Sequence, residues 1–265
     1  MTTILMCPPD FYGIHYEINP WMSLHVSVDH PAAVTQWKTL FSTLQQCGAE
    51  LVCMPPQPGW PDLVFTANGG LSLGKQQMVL PHFKYPERQG EEPYFQAWFQ
   101  KAGFNILNTI TKDSLFFEGA GDALFAGDLL FVGYGFRSEK RYFETAPYFQ
   151  QDKLIYCELI DPYFYHLDTC FCPLSESLAL WYPPAFSVES QERMSNNIEL
   201  IAVTEAEAKQ FACNAVVINK HVVLPTGTPV LSSILAKHGY TPHPIPMQEY
   251  IKAGGACKCL TLTLD

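Results

Sequence analysis

EGAGDALFAGDLLFVGYG, from Glu118 to Gly135, is the stretch that decides how this chain is read. A polar cluster, Glu118 to Asp122, leads into a short apolar run. Gly127-Asp128 interrupts that run, and a second apolar run continues to Gly135. Two apolar segments around a Gly-Asp pair predict a β-hairpin. The same layout returns along the chain. PDLVFTANGGLSLGKQQMVLP starts at Pro61 and turns at Gly74-Lys75; HLDTCFCPLSESLALWYP starts at His166 and turns at Ser175-Glu176-Ser177. CNAVVINKHVVLP starts at Cys213 and turns at Asn219-Lys220. The tail GGACKCLTLTLD, Gly254 to Asp265, supplies one strand of a fifth unit, which TTILMCPPD at the other end completes. Anchors spaced by roughly 50 residues suggest a radial array of supersecondary units.

Helix signals fall between the hairpins. Pro31 to Gly48 places Val34, Trp37, Leu40, Phe41 and Leu44 on one face, with Gly48 as a stop. Glu91 to Gly103 repeats this with Phe95, Trp98 and Phe99. Thr204-Glu-Ala-Glu207 reads as a capping box, and Thr228-Pro229 opens a helix that Gly239 ends. No Pro/Ser-rich linker divides the chain, so residues 1–265 are expected to form one catalytic domain of repeated α/β units around an axis. Equivalent polar points of each unit then converge, and convergent polar groups make a site.

Composition narrows the function classes. Apolar residues make up 48% and charged residues 16%, enough for a large core. The formal net charge of −10 argues against nucleic acid as a partner, since tracking phosphates needs a basic surface. The first residues lack a basic n-region, and no apolar run has the length of a membrane span. Nine cysteines, an odd number, without a secretory signal predict free thiols in a reducing cytoplasm.

The clusters that would meet are Asp62 with Asn68, Glu118 with Asp122, His166 with Asp168, and the terminal Cys257 and Cys259. Taken singly, each is ordinary. FTANGG reads as a turn, and FEGAGD as a capped loop without the lysine of a phosphate loop. HLDT puts His166 and Asp168 on one side of an extended strand, where they could simply share a structural hydrogen bond. Zinc held by His166, Cys170, Cys172, Cys257 and Cys259 is the rival. Cys-x-Cys within a strand is not knuckle geometry, so no metal is expected. These residues alone leave open which terminal cysteine reacts.

FTAN, FEGAGDAL, HLDT and the terminal GGxxKCLTL occur in this order in the guanidino-group-modifying superfamily, the penteins, and the whole chain resembles it. The resemblance implies a five-bladed α/β propeller of pseudo-repeated ββαβ units. It also implies Cys259, in the frame CLTL, as nucleophile and His166 as acid/base. Glu118 and Asp168 would be the carboxylates that hold the guanidinium. Asn68 and Asn19 (in INPW) would line the substrate site, Arg88 and Arg137 would grip a substrate carboxylate, and Asp62 would bind ligand or brace FTAN. Within the superfamily the chain is most similar to arginine dihydrolases, whose activity goes with an asparagine at the position of Asn68. Deiminases carry FTRD there, and the dimethylaminohydrolases compared have lysine where this chain has Asp168. The implied partner is a small arginine-like guanidino substrate, with no cofactor and no membrane. Association into a homo-oligomer stays open, and the chain is read as the catalytic module alone. Arginine deiminase, dimethylarginine dimethylaminohydrolase and a catalytically silent propeller module are the alternatives.

Overall fold

The structure is a computed structural model describing residues 2–111 and 113–265. In the first unit, β1 (Thr3–Met6) runs parallel to β2 (Glu50–Cys53), with the helix His30–Gln46 crossing between them. The second unit holds β3 (Leu71–Ser72), β4 (Gln77–Val79), the helix Glu92–Lys101 and β5 (Asn105–Ile106). The third holds β6 (Ala123–Ala126), β7 (Leu129–Tyr134), the helix Lys140–Thr145 and β8 (Leu154–Glu158). The fourth holds β9 (Phe171–Pro173), β10 (Leu178–Trp181), the helix Val188–Ser195 and β11 (Glu199–Ala202). The fifth holds β12 (Val216–Ile218), β13 (His221–Pro225), the helix Pro229–Lys237 and β14 (Thr241–Ile245). Finally β15 (Leu262–Thr263) pairs antiparallel with β1, Leu262 opposite Leu5, and completes the first unit.

Each unit is a three-stranded sheet with its middle strand flanked on both sides. A tight turn suffices for the antiparallel pair, whereas the parallel pair needs a crossover, which the helix supplies. This is the ββαβ unit expected from the repeat. The hairpins turn where the sequence places them: Gly127 has φ 58° and Asn219 φ 54°, the left-handed region that glycine and asparagine tolerate best. Asp29 caps the helix His30–Gln46 by accepting from the Ala32 amide at 3.0 Å, and Trp37, Leu40 and Leu44 carry its buried face.

The expected capping box is only half made. Thr204 accepts from the Glu207 amide at 3.3 Å, but the Glu207 carboxylate instead accepts from the Val230 amide at 2.8 Å. Glu207 therefore caps the next helix, Pro229–Lys237, and joins the two elements.

One cavity draws a residue from the first strand of every hairpin, Leu71, Leu124, Phe171, Val216 and Leu262. Five first strands around one cavity define the axis of a five-bladed propeller. Glu118, Asp168 and Asn68 stand at the other side of those strands, in or beside the short 3₁₀ turns Thr66–Gly69, Gly119–Gly121 and Leu167–Thr169. Here HLDT departs from the sequence reading, because it is not extended strand. His166 O accepts from both the Thr169 amide (3.2 Å) and its hydroxyl (2.6 Å), and this closes a turn. Among the described residues no helix is long and apolar enough to cross a membrane.

Candidate active site

The loops that precede the first strands enclose a narrow cavity. His166, Asn68, Asp62, Arg88, Arg137 and Cys259 all reach it, and Asn19, with Ile18 and Met22, covers it. The expected residues thus come together, with two exceptions. Glu118 and Asp168, both fully buried, stand behind His166 and Cys259.

The Glu118 carboxylate is completely engaged. Oε2 accepts from Arg137 at 3.0 Å and meets His166 Nε2 at 2.7 Å, while Oε1 accepts from the Lys84 amide at 3.2 Å. Burial opposes the charge, but Arg137 and then His166 outweigh it and hold the carboxyl well below the usual carboxylate range. In this arrangement Glu118 orients the imidazole through Nε2. Both Glu118 oxygens thus have partners within the protein, one of them the imidazole.

Arg137 lies between the rings of Tyr85 and Tyr165, each centroid 4.6 Å away, and donates to Ile18 O at 2.8 Å. Arg88 makes two bonds to Glu91, at 3.0 and 2.8 Å, and donates through Nη1 to Asn68 Oδ1 at 2.8 Å. Asn68 Nδ2 donates to Glu118 O at 3.3 Å. An amide has two N–H donors, so one remains for a ligand. Asn19 is largely a turn former: its Oδ1 accepts from the Trp21 amide at 2.9 Å, and its Nδ2 donates to Ala253 O at 3.1 Å. Asp62 is buried in the cavity wall with Oδ1 unpartnered, and burial pushes its carboxyl up against the opposing charge of Arg88. Asp122, grouped with Glu118 in the sequence, is a brace: Oδ1 holds the Leu167 amide at 3.0 Å and Oδ2 the Ser138 hydroxyl at 2.7 Å.

Cys259 and Cys257 are now distinct. Cys259 borders the cavity, whereas Cys257 is wholly buried among apolar residues, and burial drives its thiol up. Cys259 Sγ receives a hydrogen bond from Asn214 Nδ2 at 3.0 Å and faces Asp168 Oδ2 at 3.4 Å. Burial first, then Asp168, push this thiol well above its ordinary range, and burial also raises Asp168, whose Oδ1 has no partner. Burial thus opposes the charged form of both groups, and a cation beside them would act in the opposite direction. Gly254 and Gly255 make the tight approach to this cysteine. Gly254 has φ 82°, and a Cβ on Gly255 would sit 2.6 Å from the Phe65 ring and 3.2 Å from Cys259 Cβ. The approach is set by packing rather than by flexibility.

Asn214 is the residue that the sequence reading missed. Its Oδ1 accepts from the Ala256 and Cys259 amides, each at 3.1 Å, and its Nδ2 also donates to Asp168 O at 3.0 Å. One amide thus fixes the Cys259 loop, its sulfur and the neighbouring HLDT turn. A signal existed: Asn68, Asp168 and Cys259 each stand three residues ahead of a first strand, and Asn214 two ahead of β12. Lys258 was missed as well; burial lowers its ammonium and Asp168 opposes that shift, while Nζ donates to Thr261 O at 3.2 Å. Of the zinc rival's ligands, Cys170 and Cys172 turn to backbone carbonyls, Cys172 to Ala215 O at 3.6 Å.

Comparison with known proteins places these residues in context. The family profile for eukaryotic N,N dimethylarginine dimethylhydrolase matches residues 19–264. The bifunctional arginine dihydrolase/ornithine cyclodeaminase ArgZ of Synechocystis is 47% identical over 98% of this chain. The chain spans only 37% of that relative's length. The N(G),N(G)-dimethylarginine dimethylaminohydrolase of Mycobacterium tuberculosis is 36% identical over 98% of this chain and 84% of its own. A crystal structure of the ArgZ N-terminal domain, a cysteine-to-serine variant bound to substrate, superposes with a TM-score of 0.95 at 46% identity, covering 100% of this chain and 98% of that one. An asparagine-to-serine variant of the same domain, covalently bound to a reaction intermediate, superposes with a TM-score of 0.93.

Proposed function

The chain belongs to the N,N dimethylarginine dimethylhydrolase family of the guanidino-modifying penteins, and we propose that it hydrolyses arginine to ornithine, carbon dioxide and two ammonia molecules through a covalent intermediate on Cys259. The observation that carries this reading is the pairing of Cys259 and His166 in one cavity with Asn68 as a neutral amide beside Arg88.

A guanidinium arrives protonated at neutral pH, because its pKa exceeds about 12. Its N–H groups match the unpartnered Asp62 Oδ1 in the cavity wall, and Asp168, behind Cys259 with Oδ1 also unpartnered, is the second acidic group for the cation. Arg88 and Arg137 are the cations for the substrate's own carboxylate. The incoming positive charge opposes the burial effect on Cys259 and favours thiolate, and His166 takes up the thiol proton. The sulfur attacks the guanidinium carbon, and His166 protonates the departing ammonia. The resulting S-amidino intermediate loses its cysteine when water, deprotonated by His166, adds to the same carbon. The product of this round is citrulline.

A second round on the ureido carbon releases the second ammonia and leaves an S-carbamoyl cysteine. Water then frees a carbamic acid, which falls apart to ornithine and carbon dioxide. The balance is one arginine and two waters to one ornithine, one carbon dioxide and two ammonia. Asn68 makes the second round possible. Its remaining N–H can donate to the neutral ureido oxygen, which a carboxylate there would repel.

Product analysis by chromatography after incubation with arginine, citrulline and N(G),N(G)-dimethylarginine tests this reading. Ornithine and ammonia from arginine in a one-to-two ratio are expected, and Asn68→Asp should stop at citrulline. Dimethylamine release from the methylated substrate, with arginine untouched, would replace the dihydrolase reading. No product from any of them would favour a binding module.

A further inference from the structure

A second cluster of ligand-type side chains lies outside the catalytic cavity. Cys47, His221 and His243 bring one sulfur and two ring nitrogens within 4.8 Å of one another. They come from three elements: Cys47 ends the helix His30–Gln46, His221 opens β13, and His243 lies in the adjacent strand β14. None of them lines the catalytic cavity. We propose that Cys47, His221 and His243 form a binding site for a borderline-soft divalent transition metal such as Zn²⁺, with its open position towards solvent.

The geometry supports three ligands on one ion. His221 Nδ1 and His243 Nε2 are 2.9 Å apart and share a proton. Around a tetrahedral Zn²⁺, with bonds of about 2.0 Å to nitrogen and 2.3 Å to sulfur, the ligand edges would be about 3.3 Å (N···N) and about 3.5 Å (N···S). The two imidazoles need to separate by only a few tenths of an ångström. Cys47 is buried, while both histidines are half-exposed, so the ion has access from the histidine side.

Electrostatics point the same way. Cys47 caps the carboxyl end of a 17-residue helix whose last turn carries no basic residue. The partial negative charge there favours a cation. Lys220, next to His221, is held over the Tyr240 ring at 4.3 Å. The loop is also fixed: Gly48, at φ 96°, lets the Ala49 amide return to Leu44 O at 3.1 Å, which anchors Cys47 in place. A thiolate with two imidazoles suits Zn²⁺ and not Ca²⁺ or Mg²⁺, which prefer oxygen. On binding, the thiol proton is released and the proton between the two rings moves to an outer ring nitrogen, so one proton leaves per ion bound.

The test uses the full chain carrying Cys259→Ser, which removes the catalytic thiol as a competing ligand. Titration with Co²⁺ should give a thiolate-to-metal charge-transfer band that saturates at one equivalent and is abolished by Zn²⁺. Cys47→Ser should remove the band, and His243→Gln should weaken metal affinity at least about tenfold in competition with a chromophoric chelator. Cys53→Ser, which alters an exposed thiol elsewhere, should change neither. His243→Gln, at a half-exposed position, keeps the test decisive if Cys47→Ser does not fold. Absence of a thiolate band, or a band that survives His243→Gln at full affinity, would overturn the proposal.

Discussion

Cys259 and the cysteines at and within β9, Cys170 and Cys172, are all buried, yet their surroundings differ in kind. Cys170 and Cys172 turn their thiols to backbone carbonyls within an apolar cluster, neither reaches the cavity of His166, and burial drives both upward. Around Cys259 the same burial is combined with an amide donor from Asn214, a carboxylate from Asp168 and a cavity shared with His166. Burial alone makes a cysteine inert. Burial beside polar groups that a cationic ligand can satisfy makes it switchable by that ligand.

Substitution at the two kinds of site should break this comparison if it is wrong. Cys259→Ser is expected to lower kcat with arginine by at least about 10⁴-fold, the scale seen when a nucleophile is removed. Cys257→Ser should stay within about twofold of wild type in the same ammonia-release assay. Next in size is Asn214→Asp, which keeps an acceptor for the loop amides but replaces the N–H aimed at sulfur with an oxygen. A loss of about 10²- to 10³-fold in kcat is expected, as for a missing donor at developing charge. An unchanged kcat would reduce Asn214 to scaffolding.

Protonation-linked stability sharpens the contrast between the two carboxylates grouped in FEGAGD. Glu118 is held well below the usual range, so its contribution is present above the ordinary Glu pKa of about 4.3 and is lost as pH falls. Asp122 has the opposite sign. Burial pushes it up to about 6, so the folded protein loses stability as pH rises from the unfolded Asp pKa of about 3.9 through that value. Denaturant midpoints measured from about pH 4 to 7 should therefore show, for Asp122→Asn, a smaller loss on raising the pH than for wild type. Equal slopes would contradict the assignment. The smallest effect is expected for Cys172→Ala: kcat within about twofold, with a stability loss of about 1 kcal/mol in urea.

The propeller was legible because its signal is local and repeated. Every hairpin turn fell on the Gly, Asn or Ser group that marked it, and the terminal segments paired as β15 and β1. The resemblance carried most of the site by residue, yet side-chain direction lay beyond it. HLDT alternates like a strand, but the Thr169 hydroxyl and the Asp122 brace fold it into a turn that aims His166 at Glu118 and Asp168 at Cys259. Asn214 stayed hidden because one asparagine in an apolar run carries no motif. Its importance comes from bonds to residues 42 and 45 positions away, Ala256 and Cys259. Likewise nothing in the sequence joins Cys47 to His221 and His243; only the packing of a helix end on two strands does so.

The central claim is that Cys259, and not its neighbour, carries the covalent intermediate. Cleavage after Lys258 places Cys257 and Cys259 on separate peptides, so acid-quenched turnover of arginine followed by peptide mass mapping reads the two thiols independently. The account expects the amidino or carbamoyl adduct of the substrate on the carboxyl-terminal peptide beginning at Cys259, and none on the peptide ending in Cys257-Lys258. An adduct on Cys257, or ornithine formed with no adduct on Cys259 at any quench time, would contradict it.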